Sequence, residues 1–134
     1  MRVLCGALLW AAAAMPAAAT LAPGSWVASA PAINIAVAGR GYHSAALRPR
    51  NIAMVRGGGI VSVRWRYDAA PVVRGWICHG AQAQHCVALD APRGHTRAFA
   101  GADASGPFFF RFEIPEGTAR ARQVEALQLI VNFR

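Results

Sequence analysis

The sequence predicts an all-β fold, an antiparallel β-sandwich built as a single domain after a cleaved signal peptide. Three observations predict it. About eight short segments carry the two-residue alternation of strands. Turn residues recur between them at close spacing. No stretch sustains a long amphipathic helical period, because the 13 glycines and 8 prolines interrupt every candidate.

Residues 1–19 read as a secretory signal peptide. Arg2 gives a positive start, residues 3–14 are an apolar run containing Trp10, and Ala17, Ala18 and Ala19 supply an A-x-A cleavage pattern. The run is shorter than the about 20 apolar residues of a membrane helix, and no second run of that kind follows. Cys5 lies inside it and is expected to leave with the leader. Residues 20–134 are then a soluble, exported β-sandwich domain of about 115 residues, a length that suits one domain.

Every one of the 14 basic residues is arginine. Removing Arg2 with the leader leaves 13 against six acids, a net charge of about +7, which favours acidic proteins, phospholipid headgroups or cell-wall polymers as partners. The arginines are spread along the chain with no dense run, which argues against a nucleic-acid-binding arm.

In chain order, residues 24–29 form a first short strand anchored by Trp26. After Pro31, residues 33–37 alternate, with Ile33, Ile35 and Val37 on one face. Residues 39–51 read as a loop. Arg56 and the three glycines after it make a turn that lacks the G-x-x-x-x-G-K pattern of a phosphate loop. Residues 60–67 place Val61, Val63, Trp65 and Tyr67 on one face and Ile60, Ser62, Arg64 and Arg66 on the other. The ordinary reading is a half-buried strand with solvated arginines. The functional reading makes Arg64 and Arg66 an outward pair open to an acidic partner.

Residues 72–90, VVRGWICHGAQAQHCVALD, hold Cys78 and Cys86 with seven residues between them. Pairing 78 with 86 sets 77 opposite 87 and 75 opposite 89. One face then carries Val73, Ile77, Val87 and Leu89, and the other Arg74, Trp76, both cysteines, Ala88 and Asp90. Opposed cysteines at such a position can bridge without moving the backbone, so a disulfide-stapled hairpin is expected, with Arg74 and Asp90 as a cross-strand charge pair. Cys78, His79, His85 and Cys86 also offer four potential zinc ligands. Adjacent strand residues point to opposite faces, which keeps them from converging on one tetrahedral centre.

Residues 91–94 turn the chain, 95–100 form a short strand and 101–107 a loop. Residues 108–114 put Phe108, Phe110, Phe112 and Ile114 on one side, a central core strand whose side chains each contribute about 1.5–3 kcal/mol when buried. Residues 118–123 are ambiguous, with one helical turn as an option. Residues 127–134 are the last strand, with Leu129, Val131 and Phe133 on one face.

The catalytic inventory is thin. The chain has neither G-x-S-x-G nor H-E-x-x-H, its six acids are scattered, and His43, His79, His85 and His95 make no ligand motif. Carboxylates brought together only by folding stay open as a possibility. The reading is a non-enzymatic protein without a cofactor or metal.

An ordered set of features resembles the FlhE family of flagellar proteins. The set comprises a signal peptide followed by Trp26, then Trp65, Arg66 and Tyr67 ending a strand, and Cys78 followed by residues 86–90 (CVALD). Phe99 with Ala100 and the terminal IVNFR at residues 130–134 complete it. The seven-residue span between the cysteines is longer than the family pattern. The resemblance implies a periplasmic β-sandwich accessory protein of the bacterial flagellum, associated with the type III export apparatus and limiting proton leakage through it. Flagellar export or basal-body proteins would be its partners.

Two other classes stay in view. A carbohydrate-binding module would stack peptidoglycan or another glycan on Trp26, Trp65, Tyr67 and above all Trp76. A chaperone-like module would offer a sheet edge to an extended partner strand. Candidate partner-binding residues are therefore Arg64, Arg66 and Trp76.

Overall fold

The structure, a computed structural model, describes residues 24–134; the signal peptide expected at residues 1–19, with Cys5, lies outside the described residues. Among the described residues, nine strands form two antiparallel sheets. They are β1 (Gly24–Ala30), β2 (Ile33–Ile35), β3 (Tyr42–His43), β4 (Ile60–Asp68), β5 (Arg74–His79), β6 (His85–Leu89), β7 (Arg93–Thr96), β8 (Phe108–Glu113) and β9 (Arg122–Phe133). One sheet runs β1-β9-β4-β7, with β2 also paired to β9, and the other runs β3-β8-β5-β6. A short 3-10 turn, Ile52–Met54, precedes β4.

The core is the space between the sheets. From β8 it receives Phe108, Phe110 and Phe112, all fully buried, followed by Ile114. From β4 come Ile60, Val63, Trp65 and Tyr67, and from β9 Val124, Leu127, Leu129 and Val131. The Tyr67 ring meets Phe112 edge-on at 4.9 Å, so the two sheets interlock through aromatics.

Several expectations are corrected by the register. Simple alternation puts Ile60 on the arginine face, yet it is buried, and Val61 is only half-buried. The pairing with β9 shifts between Ile60 and Ser62, so Val61 is an extra residue that moves Ile60 into the core phase. A second shift lies between Arg66 and Asp68, opposite Gln128 and Glu125. There β9 holds the extra residue, and Ala126 takes a left-handed φ of 54°. This bulge lets Val124 and Leu127, three positions apart, both point inward. The last strand therefore begins at Arg122, five residues before the expected start, and the helical turn does not form.

The second strand stops at Ile35, and Val37 is 51% exposed rather than in the core. The expected loop 39–51 contains β3, and beyond it Leu47 bridges Phe108. Ser44, itself buried, accepts a hydrogen bond from the Phe110 amide at 2.9 Å through its hydroxyl. The strand expected at 95–100 is instead Arg93–Thr96, because Gly94 sits opposite Trp65 and leaves room for the indole, which a Cβ there would strike.

The hairpin register is as expected, with Cys78 opposite Cys86, Ile77 opposite Val87 and Gly75 opposite Leu89. The disulfide joins Cys78 and Cys86 across a Cα separation of 4.0 Å. Its two ends differ: Cys78 is fully buried and Cys86 is exposed. The Arg74–Asp90 charge pair does not form. Arg74 lies opposite Glu113 on β8, and the ion pair found among the described residues is Arg111–Glu113 at 3.4 Å. Burial, and after it the charge of Asp90, push the Tyr67 phenol above its ordinary value.

Candidate functional site: a basic sheet face

The outer face of the first sheet collects its polar residues by strand alternation and register. Three rungs cross it. Ser25, Asn132 and Ser62 form the first, and Asn132 donates to the Ser62 hydroxyl at 3.0 Å. Val27, Ile130, Arg64 and His95 form the second, and Ser29, Gln128, Arg66 and Arg93 the third. Arg97 follows β7 at the level of the first rung. Arg64, Arg66, Arg93, His95 and Arg97 are all exposed.

Two shallow cavities follow this face. One of about 370 Å³ is lined by Arg64, Arg66, Arg93, His95, Gln128 and Ile130 among others. The next, about 810 Å³, is lined by Ser62, Arg64, His95, Arg97, Ile130 and Asn132 among others. They share Arg64, His95 and Ile130, so they form one trough along the strands. Asp68 and Glu125, paired beyond the Ala126 bulge, end it on the Arg66 side. No ion pair joins these arginines to a carboxylate among the described residues.

Sequence reasoning found Arg64 and Arg66 and missed Arg93, His95 and Arg97. The alternation of residues 93–97 (RGHTR) was a usable signal, but only long-range register sets it beside β4.

Trp76 lies elsewhere, on the outer face of the second sheet opposite Arg111. The Arg111 guanidinium sits 4.9 Å from the Trp76 ring centroid, so one face of the indole already holds a cation. The other aromatics proposed for glycan stacking are core residues. Trp26 and Trp65 are buried and donate their indole N–H groups to the carbonyls of Ala104 and Ala91, each at 2.8 Å, and Tyr67 is buried too. The structure does not bring them together with Trp76 as a platform.

Both cysteine sulfurs are consumed by the disulfide, which removes them as zinc ligands. His79 Nε2 lies 2.9 Å from the Asp103 carbonyl oxygen, and His85 packs edge-on against Phe99 at 5.0 Å. The Asp103 carboxylate accepts hydrogen bonds from the Ser105 amide at 2.9 Å and hydroxyl at 2.7 Å. These bonds, the amide first, hold the Asp103 carboxyl below its ordinary value, with a smaller contribution from His79. A carboxyl lowered on folding stabilises the protein above its unfolded value of about 3.9, and that gain is lost as pH falls through the folded value. Asp103→Asn should therefore flatten the acid limb of a plot of Tm against pH below about pH 4. An unchanged acid limb would show that Ser105 does not hold the carboxylate.

The family model described as Flagellar protein FlhE matches residues 32–134. The chain belongs to the FlhE family of flagellar proteins. Flagellar protein FlhE of Salmonella typhimurium strain LT2 is 33% identical over 94 residues, covering 68% of this chain and 72% of that protein. The Salmonella typhi protein of the same name matches to the same extent. A crystal structure of FlhE aligns with a TM-score of 0.71 at 29% identity, over 84% of this chain and 97% of the other. The two-sheet fold is thus a fold of the FlhE family, and membership makes this chain a flagellar accessory protein. No helix among the described residues is long and apolar enough to cross a membrane.

Proposed function

We propose that the protein works in the periplasm with the flagellar type III export apparatus, where it limits proton leakage by binding a component of that machinery without catalysing a reaction. Membership of the FlhE family is the observation that carries this reading. The Cys78–Cys86 disulfide supports an oxidising compartment, and the leader-like residues 1–19 supply a route to it. A basic sheet face whose arginines make no ion pair among the described residues supports binding.

Deleting the gene should disturb flagellar assembly and acidify the cytoplasm while export machinery is present. The acidification should disappear when the export-channel proteins are deleted as well, because the leak path is then gone. Rescue should require the leader, since a copy held in the cytoplasm would be reduced and misplaced. Normal motility and cytoplasmic pH with a changed response to cell-wall stress would overturn the reading in favour of glycan binding.

A further inference from the structure

The register of β4, β7 and β9 has an energetic consequence. Arg66 lies directly opposite Arg93, and Arg64 opposite His95. Like charges directly opposite in a sheet, as at Arg66 and Arg93, destabilise it, and among the described residues no carboxylate makes an ion pair with them. The sheet thus holds a row of guanidinium groups that folding alone does not favour. An anion seated among them would remove the penalty.

We propose that this trough is a docking groove for an extended acidic segment of a partner protein, one whose carboxylates recur at every second residue. Spacing is the first argument. Residues i and i+2 of a strand stand about 6.8 Å apart, so Arg64 and Arg66, and likewise Arg93, His95 and Arg97, repeat at the period of an extended polypeptide laid alongside them. The second argument is chemical. Arginine presents a planar fork that takes a carboxylate through two parallel hydrogen bonds, and apart from His95 the basic residues here are all arginine. The floor supplies the rest: Ile130 is apolar and half-exposed, while Gln128 and Asn132 flank it with amides able to bond a ligand backbone. Asp68 and Glu125 repel an acidic chain at one end, so the seated segment ends there at the third rung.

A bilayer fits less well. Its phosphates form a plane rather than a line, and the apolar side chain most able to insert, Met54 at 78% exposure, lies beside β1, across the sheet from β4 and β7. The proposal rests on the face itself and holds whether or not the partner belongs to the export apparatus.

A fluorescein-labelled nine-residue peptide alternating glutamate and threonine, titrated with the purified protein and followed by anisotropy, tests the assignment. Saturable binding is expected, tighter than that of a peptide of the same composition with its glutamates in one block, and weakening as salt is added. Arg64→Glu and Arg93→Glu should each weaken it roughly tenfold or more. Arg93→Glu also turns a like-charge pair into an opposite one, so its Tm should hold or rise while binding falls, which separates docking from folding. Absence of saturable binding, equal affinity for both peptides, or variants that bind as the parent does would overturn the proposal. So would phosphatidylglycerol vesicles that displace the peptide, which would assign the face to lipid. Displacement by inorganic phosphate at low concentration would overturn it too, in favour of a simple anion site.

Discussion

Phe110→Ala should lower the stability of the protein by about 3–5 kcal/mol, a large share of the 5–15 kcal/mol available to a domain. Phe110 is fully buried on β8, the strand flanked by β3 and β5. Its ring stacks on Phe112 at 5.7 Å and meets Tyr67 from the opposite sheet at 6.2 Å. Truncation would remove both contacts and leave a cavity that the neighbouring backbone cannot close. The Phe110 amide is held by Ser44 and the Ser44 amide donates to the Phe110 carbonyl at 2.8 Å, so β8 is fixed in place. Urea unfolding measures the loss. A change below about 1 kcal/mol would mean that the sheets are not packed through this ring.

Breaking the disulfide should cost about 2–3 kcal/mol in the chain-entropy account of so short a loop, and the two cysteines should not be equivalent. Cys86 is exposed, so Cys86→Ser removes the bridge and leaves Cys78 as a small buried thiol that packs as an apolar group. Cys78→Ser removes the bridge and buries a hydroxyl as well, adding roughly 1–3 kcal/mol if that group finds no partner. Thermal unfolding should therefore rank the wild type above Cys86→Ser, and Cys86→Ser above Cys78→Ser. Labelling of the unreduced, unfolded protein should find neither Cys78 nor Cys86 free. Two reactive thiols at these positions, or equal stability of both variants and the parent, would contradict the staple.

How much of this was legible in the sequence depended on whether local pattern or long-range register decided each feature. Alternation alone placed Phe108, Phe110 and Phe112 correctly, because β8 is regular and buries one whole face. The hairpin was equally readable, since Cys78 and Cys86 fix their own register. The pattern failed where a bulge changed its phase. Val61 displaced Ile60 into the core, and Ala126 set Val124 and Leu127 three apart, which mimics a helical period and hid the start of β9. Residues 44–47 look like loop in the sequence because their pairing to β8 is irregular, although Ser44 and Leu47 are buried. Two of the five basic residues of the face were legible for a similar reason. Arg64 and Arg66 stand out on one strand, whereas Arg93, His95 and Arg97 join them only through a pairing between segments distant in sequence. Trp76 was correctly placed on an outer face, but the cation seated on its ring came from β8 and left no trace in the local pattern.

We propose that this protein restrains proton entry through the flagellar export apparatus by binding through its basic face. Cytoplasmic pH in a deletion strain, carrying either the wild-type gene or Arg64→Glu with Arg66→Glu, tests that claim most directly. Both arginines are exposed and unpaired among the described residues, so the double variant should fold and accumulate as the parent does. The wild-type gene should restore the pH, and the charge-reversed gene should leave the cytoplasm acidified. Full restoration by the charge-reversed protein would contradict the claim.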